Sequence, residues 1–121
     1  MIYRDFKGMK LSALGFGTMR LPVINGKDAD IDVEETEKMI DLAMKKGINY
    51  YDTAWGYHNG NSETVVGKLL SKYDRDSYYL VTKFPGYDLN NMGKAKEIFK
   101  NSLRRPARHI LIFILYIMSV S

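Results

Sequence analysis

Hydrophobic and polar positions alternate with changing period along the chain, and each change marks an element. Residues 2–6 and 10–14, with Lys7-Gly8-Met9 between them, predict a short β-hairpin. The run LGFGTM at 14–19 predicts a short apolar strand, whose two glycines suggest that another group approaches the backbone closely. Residues 22–31, with Pro22, Asn25-Gly26 and several charges, predict a loop. Asp32 then opens a helix. With Glu35 three positions on it resembles a capping box, Asp being the variant first member. Thr36, Met39, Ile40, Ala43 and Met44 fall on one face of that helix. Lys45 and Lys46 suit its negative end, and Gly47 supplies the stop. INYYD at 48–52 is a short β-prone run. A second helix starts near Ser62 and carries Val65, Val66, Leu69 and Leu70 to about Tyr73. YYLVTK at 78–83 is the clearest strand. A third helix follows Asn90-Asn91, with Ala95, Ile98, Phe99 and Leu103 as its apolar stripe and Pro106 at its end.

The order is a hairpin, then strand–helix repeated three times. Such alternation implies an α/β fold, a parallel sheet with helices outside it. Two architectures fit: an open doubly wound sheet, or part of a (β/α)8 barrel. A complete barrel needs roughly 250 residues, and this chain of 121 residues could supply about half of one.

Composition narrows the function without naming it. The chain has no cysteine, which excludes a disulfide framework, a thiolate catalyst and a cysteine-bound metal site within it, and fits a reducing, cytoplasmic setting. The first residues, MIYRDFKGMK, are mixed and charged and do not resemble a signal peptide. The net charge of +4 comes from the end of the chain. Arg104, Arg105 and Arg108 lie in the last 21 residues, which hold no acid; the other 15 Lys and Arg face all 14 Asp and Glu. No basic stripe runs through the body, so nucleic acid is not an expected partner. The apolar run at 110–118 is short of the about 20 residues that span a bilayer. It predicts a buried strand rather than a membrane anchor.

In either architecture, sites form at the carboxyl ends of the parallel strands. Gly17-Thr18 ends the first strand, Asp52 ends the second with Tyr57 in the loop beyond, and Lys83 ends the third. Adjacent strands lie about 4.8 Å apart, so an aspartate and a lysine ending neighbouring strands can pair beneath a tyrosine. The residue types suit proton transfer. A free phenol ionises near pH ~10, and a nearby ammonium stabilises the phenolate. A carboxylate keeps that ammonium charged and oriented. A phenol so supported can protonate a carbonyl oxygen as hydride reaches the carbon.

Three stretches, LGFGTMRLP (14–22), GINYYDTAWGYHNGNSETVVGKLL (47–70) and YYLVTKF (78–84), resemble the aldo-keto reductases in order and spacing. The hairpin at 2–14 matches the one that closes the bottom of that family's barrel. The resemblance covers residues 1–103 and implies a partial (β/α)8 TIM barrel: the first three to four β/α units, preceded by the N-terminal hairpin. It implies NADPH-dependent reduction of an aldehyde or ketone, a small-molecule carbonyl substrate, and no metal. Asp52, Tyr57 and Lys83 match three members of the family's catalytic tetrad, with Tyr57 as general acid. Gly17, Thr18 and Met19 match the segment that touches the nicotinamide side of the cofactor, against which Asp52 also lies. The opening MIYRDFKGMKLSALGFGTMRLP is similar to a bacterial subgroup whose members often carry a C-terminal iron–sulfur extension, for which this chain has no cysteines.

The family's fourth tetrad member, a histidine at the end of strand four, has no counterpart in RPARHILIFILYIMSVS. If residues 110–117 form strand four, His109 precedes it, at the end of the barrel opposite the chemistry. His58 is not a substitute by motif. Residues 104–121 therefore read as a divergent basic and apolar tail, with a truncated or frame-shifted gene as the expected origin. On this reading the chain alone is an incomplete enzyme, and its open sheet edge favours self-association. A non-catalytic remnant and a nucleotide-binding segment without turnover are the competing functions. Ser62 and Glu63 read as helix capping, and Met39, Met44, Met92, Tyr50 and Tyr51 as core.

Overall fold

A computed structural model describes residues 1–85, 89–104 and 112–116. The chain opens with strands β1 (Tyr3–Phe6) and β2 (Met9–Ser12), paired antiparallel. Lys7 and Gly8 form the two-residue turn with φ of 48° and 81°. Two positive φ values match the right-handed twist of the flanking strands, so the predicted hairpin closes one residue tighter than its sequence suggested. The hairpin is tied to the body by Asn49, whose side-chain amide donates to the Lys10 carbonyl at 2.8 Å while its oxygen accepts the Ser12 N–H at 2.8 Å.

The body alternates β3 (Phe16–Gly17), α1 (Val33–Lys45), β4 (Tyr50–Asp52), α2 (Asn61–Leu70), β5 (Tyr79–Pro85), α3 (Ala95–Arg104) and β6 (Ile112–Tyr116). The four strands form one sheet in sequential order β3-β4-β5-β6, every pair parallel. A doubly wound sheet reverses its strand order at a switch point. No reversal occurs here, which is the arrangement of a barrel wall. β6 comes from the divergent end of the chain, where residues 112–116 pair with residues 81–85 of β5. Pro106, His109 and residues 110, 111, 117 and 118 lie outside the described residues, as do the side chains of Met92, Phe99 and Leu103.

Helix α1 starts as its sequence predicts: Asp32 accepts the Glu35 N–H at 3.1 Å. Its end is a full Schellman motif. Gly47, at φ 92°, donates to the Met44 carbonyl at 3.1 Å, and Ile48 donates to the Ala43 carbonyl at 3.0 Å. Thr36, Ile40 and Ala43 are its buried positions, whereas Met39, expected in the core, is exposed. Helix α2 ends at Leu70, three residues short of the expected Tyr73.

The pleat divides the sheet into two faces. Phe16, Tyr51 and Leu80 are register partners, and Tyr51 and Leu80 bury themselves among Ile40, Ala43, Val66 and Leu70. The Tyr51 ring lies 5.5 Å from Phe16 and edge-on to Tyr78 at 6.4 Å. On the other face the partners are Gly17, Asp52 and Val81, with Lys83 two residues further along β5. The core therefore lies outside the sheet, beneath the helices, and the charged residues gather on the opposite face at the strand ends.

Candidate functional site

Asp52, Tyr57 and Lys83 meet as the sequence predicts. The Lys83 ammonium donates to the Asp52 carboxylate, to the Thr53 carbonyl at 3.0 Å and to the Tyr57 phenol oxygen at 3.3 Å. An ammonium has three N–H bonds, so these three acceptors use all of them. Nζ also lies 5.0 Å from the centre of the Tyr57 ring. The pair is partly sheltered, with side-chain exposures of 18% for Lys83 and 32% for Asp52.

A tight turn sets Tyr57 in place. His58, Asn59 and Gly60 all adopt left-handed backbone, with φ of 53°, 54° and 87°. That conformation is uncommon outside glycine, but Asn and His adopt it more readily than most residues. The His58 ring offsets its share of the cost. It is buried; Nε2 accepts the Leu21 N–H at 3.0 Å and Nδ1 bonds the Asp28 carbonyl at 2.7 Å. Since Nε2 accepts, Nδ1 carries the proton and donates to Asp28, and the ring is the neutral tautomer. His58 thus holds the 21–28 loop against the turn.

A cleft of about 360 Å³ opens beside these groups, with Gly17, Thr18, Met19 and Arg20 on one side and Asp52, Tyr57 and Lys83 on the other. All of the predicted catalytic and cofactor-contacting residues line it, together with Arg20, which was not singled out. The two strand glycines differ in role. A methyl on Gly15 would meet the Tyr50 ring at 3.0 Å, whereas one on Gly17 would meet nothing within 4 Å. Gly15 is a packing glycine, and Gly17 leaves the cleft wall bare. A second cleft of about 380 Å³, between the 24–31 loop and α2, is lined by Asp30 among apolar and neutral side chains, with no cation among its lining residues. The paired charges lie in the first cleft.

Thr18, Thr53 and Ser62 are fully buried beneath the site and bonded hydroxyl to hydroxyl. Thr18 also donates to the Asp52 carbonyl twice, from its N–H at 3.0 Å and its hydroxyl at 2.9 Å. Glu63, likewise buried, accepts the Thr82 hydroxyl at 2.6 Å. Ser62 and Glu63 were expected to cap α2. The residue preceding the helix is Gly60, and both side chains turn inward to the strands instead. Sequence reading missed this cluster because its members are small and lie up to 44 positions apart.

The neighbouring tyrosines are packing groups. Burial pushes the Tyr51 phenol well above its ordinary range, and its O–H donates to the Ile48 carbonyl at 3.1 Å. Tyr50 is raised too, first by desolvation and then by the charge of Asp52. Among the described residues no group of three or more His, Cys, Asp or Glu could hold a metal, and no helix is long and apolar enough to cross a membrane.

Comparison with known proteins places this geometry in a lineage. The "NADH-specific methylglyoxal reductase" of Escherichia coli strain K12 is 41% identical over 100 residues, covering 75% of this chain and 29% of that protein. A solved aldo-keto reductase from Bacillus halodurans, in its holo form, superposes with a TM-score of 0.75 at 31% identity, covering 95% of this chain and 40% of the other. An aldo/keto reductase from Klebsiella pneumoniae, solved with NADP and acetate, gives 0.67 at 27% identity over 90% of this chain and 36% of the other. The chain spans 22–29% of the length of the curated relatives it matches. The family model described as "Aldo/keto reductase family" matches residues 13–110, and the chain belongs to the aldo/keto reductase family.

Proposed function

We propose that this chain carries the reducing rim of an NADPH-dependent carbonyl reductase, with Tyr57 as general acid and Lys83 and Asp52 as its support. On this reading β3 with α1, β4 with α2, β5 with α3, and β6 are the first three to four units of a (β/α)8 barrel. Residues 1–103 are then the family portion and 104–121 the divergent tail. The observation that carries the proposal is the sharing of one ammonium, Lys83, between the Asp52 carboxylate and the Tyr57 phenol.

Each residue has a defined task. The phenol oxygen accepts from Lys83, so its own O–H remains to donate to a substrate carbonyl oxygen. When that proton leaves, the ammonium beside it stabilises the phenolate that forms. Asp52 keeps the ammonium charged and aimed. The cleft fits a nicotinamide ring, because Gly17 presents no side chain on the wall formed with Thr18 and Met19. When bound, that cofactor supplies the hydride to the carbonyl carbon. The Klebsiella pneumoniae relative solved with NADP supports the choice of a nicotinamide cofactor.

The test is consumption of NADPH by the purified protein with a generic aldehyde, alongside fluorescence titration of the cofactor. Saturable binding with turnover would uphold the reductase reading and overturn the expectation that the chain alone is an incomplete enzyme. Tyr57→Phe should remove turnover and leave cofactor affinity nearly unchanged. Equal rates for the two proteins would overturn the assignment of the acid. Binding without turnover would favour a nucleotide-binding segment, and neither would favour a non-catalytic remnant.

A further inference from the structure

The buried hydroxyls beneath the cleft have only one consistent arrangement of protons. Each hydroxyl carries one hydrogen. That of Thr18 goes to the Asp52 carbonyl, which can only accept. The contact between Ser62 and Thr18, at 2.9 Å, must then use the Ser62 hydrogen. Ser62 has no second hydrogen, so its 2.7 Å contact with Thr53 must use the one on Thr53. The order of donation is Thr53 to Ser62 to Thr18 to the carbonyl of Asp52.

Both ends of this relay lie on the Asp52–Thr53 segment. Thr53 starts it, and its carbonyl holds Lys83 at 3.0 Å while its N–H is held by the Val81 carbonyl at 2.7 Å. Asp52 ends it, and its carboxylate holds Lys83 as well. Ser62 is the one member borne by a helix, so it fixes the start of α2 to the ends of β3 and β4. We propose that Ser62 is a positioning residue: through the hydroxyls of Thr18 and Thr53 it sets the two oxygens that aim the Lys83 ammonium at Tyr57. The consequence for catalysis rests on the reductase reading above, but the positioning does not.

The test is nuclear magnetic resonance of the whole chain as wild type, Ser62→Ala, Thr53→Val and Thr53→Ser. The readouts are the Lys83 ammonium resonance and hydrogen exchange at the Thr18 amide, which donates to the Asp52 carbonyl. The controls are the Lys72 ammonium, held by Glu37 and Asp41, and the Ala13 amide in the hairpin. In Ser62→Ala the Lys83 resonance should move, and Thr18 exchange should quicken about tenfold, the factor expected for one net hydrogen bond. Both controls should stay in place. Thr53→Val, which keeps the shape and removes the first donor, should move Lys83 in the same direction, whereas Thr53→Ser, which keeps the hydroxyl, should not. An unmoved Lys83 in Thr53→Val, or movement matched by the controls, overturns the inference and keeps it testable if Ser62→Ala does not fold. Shifts as expected in a protein that consumes no NADPH would uphold the positioning and sink the reductase reading instead.

Discussion

Among the described residues, two clusters each join one lysine, one aspartate and one tyrosine, and they are built to opposite ends. At the strand ends, Lys83, Asp52 and Tyr57 meet on the inner face of the sheet. On the outside, Lys72, Asp41 and Tyr73 join α1 to the turn after α2, with Glu37 as a second acceptor. The difference lies in what the phenol faces. Tyr57 accepts from the ammonium, and its proton stays uncommitted among the described residues. Tyr73 donates to the Asp41 carboxylate, and its phenol is raised above the ordinary range by desolvation and then by that bond. The same three residue types therefore leave a phenol proton uncommitted in one place and make a clamp in the other. Composition of a cluster does not identify a site; the direction of its hydrogen bonds does.

The largest effect should come from deleting each phenol oxygen. Tyr57→Phe should reduce carbonyl turnover by about 10²–10⁴-fold, the range for a general acid, while Tyr73→Phe should leave the rate unchanged. Steady-state kinetics on both variants measures this, and matched losses would erase the distinction between the clusters. Next in size is removal of each ammonium. Lys83→Met strands a partly buried carboxylate and two further acceptors, and should cost roughly 1–3 kcal/mol in chemical denaturation. Lys72→Met acts on solvent-exposed groups and should cost less.

A smaller effect concerns pH. Lys72, and then Tyr73, hold the Asp41 carboxyl below its ordinary value of 3.8, so its contribution to stability is complete above that value and is lost as acid carries pH through the lower folded value. Bonds to Asp41 and then Glu37 raise Lys72 above its ordinary 10.5, so its contribution is complete below 10.5 and fades as pH rises through the higher folded value. The difference in melting temperature between wild type and Asp41→Asn should stay level between those limits and close in acid. A difference that widened in acid would contradict the clamp. The smallest effect is that of salt. Going from ~0.1 M to ~1 M shortens the screening length from about 10 Å to about 3 Å. This should shrink the stability loss of Lys72→Met more than that of Lys83→Met.

The inner cluster was legible in the sequence because strand ends and residue types both pointed to it. Asp52 closes a β-prone run, Lys83 lies near the end of the clearest strand, and parallel pairing brings such ends together. The sequential strand order was not legible in the hydrophobic period, which fits an open sheet and a barrel wall alike; only the family resemblance pointed to the barrel. The hydroxyl relay was invisible for another reason. Thr18, Thr53 and Ser62 are small residues common in loops and caps, and only the register of Gly17 with Asp52 brings them together. Met39 shows where periodicity overreaches. Five positions share one face of α1; Thr36, Ile40 and Ala43 are buried and Met44 packs against the core, but Met39, at the flank, is left exposed. The burial of His58 depended on its left-handed backbone, which no local pattern specified.

That left-handed run of three residues has a consequence for how this segment can vary. It is the whole of the link between Tyr57 and Asn61, the first residue of α2, and leaves no slack between the phenol and the helix. Lengthening or shortening it by one residue would rotate the start of the helix, carrying Ser62 off the strands and Tyr57 off the ammonium in one motion. The reach of the phenol and the seating of the helix are thus one degree of freedom, and a redesign that alters either must alter both.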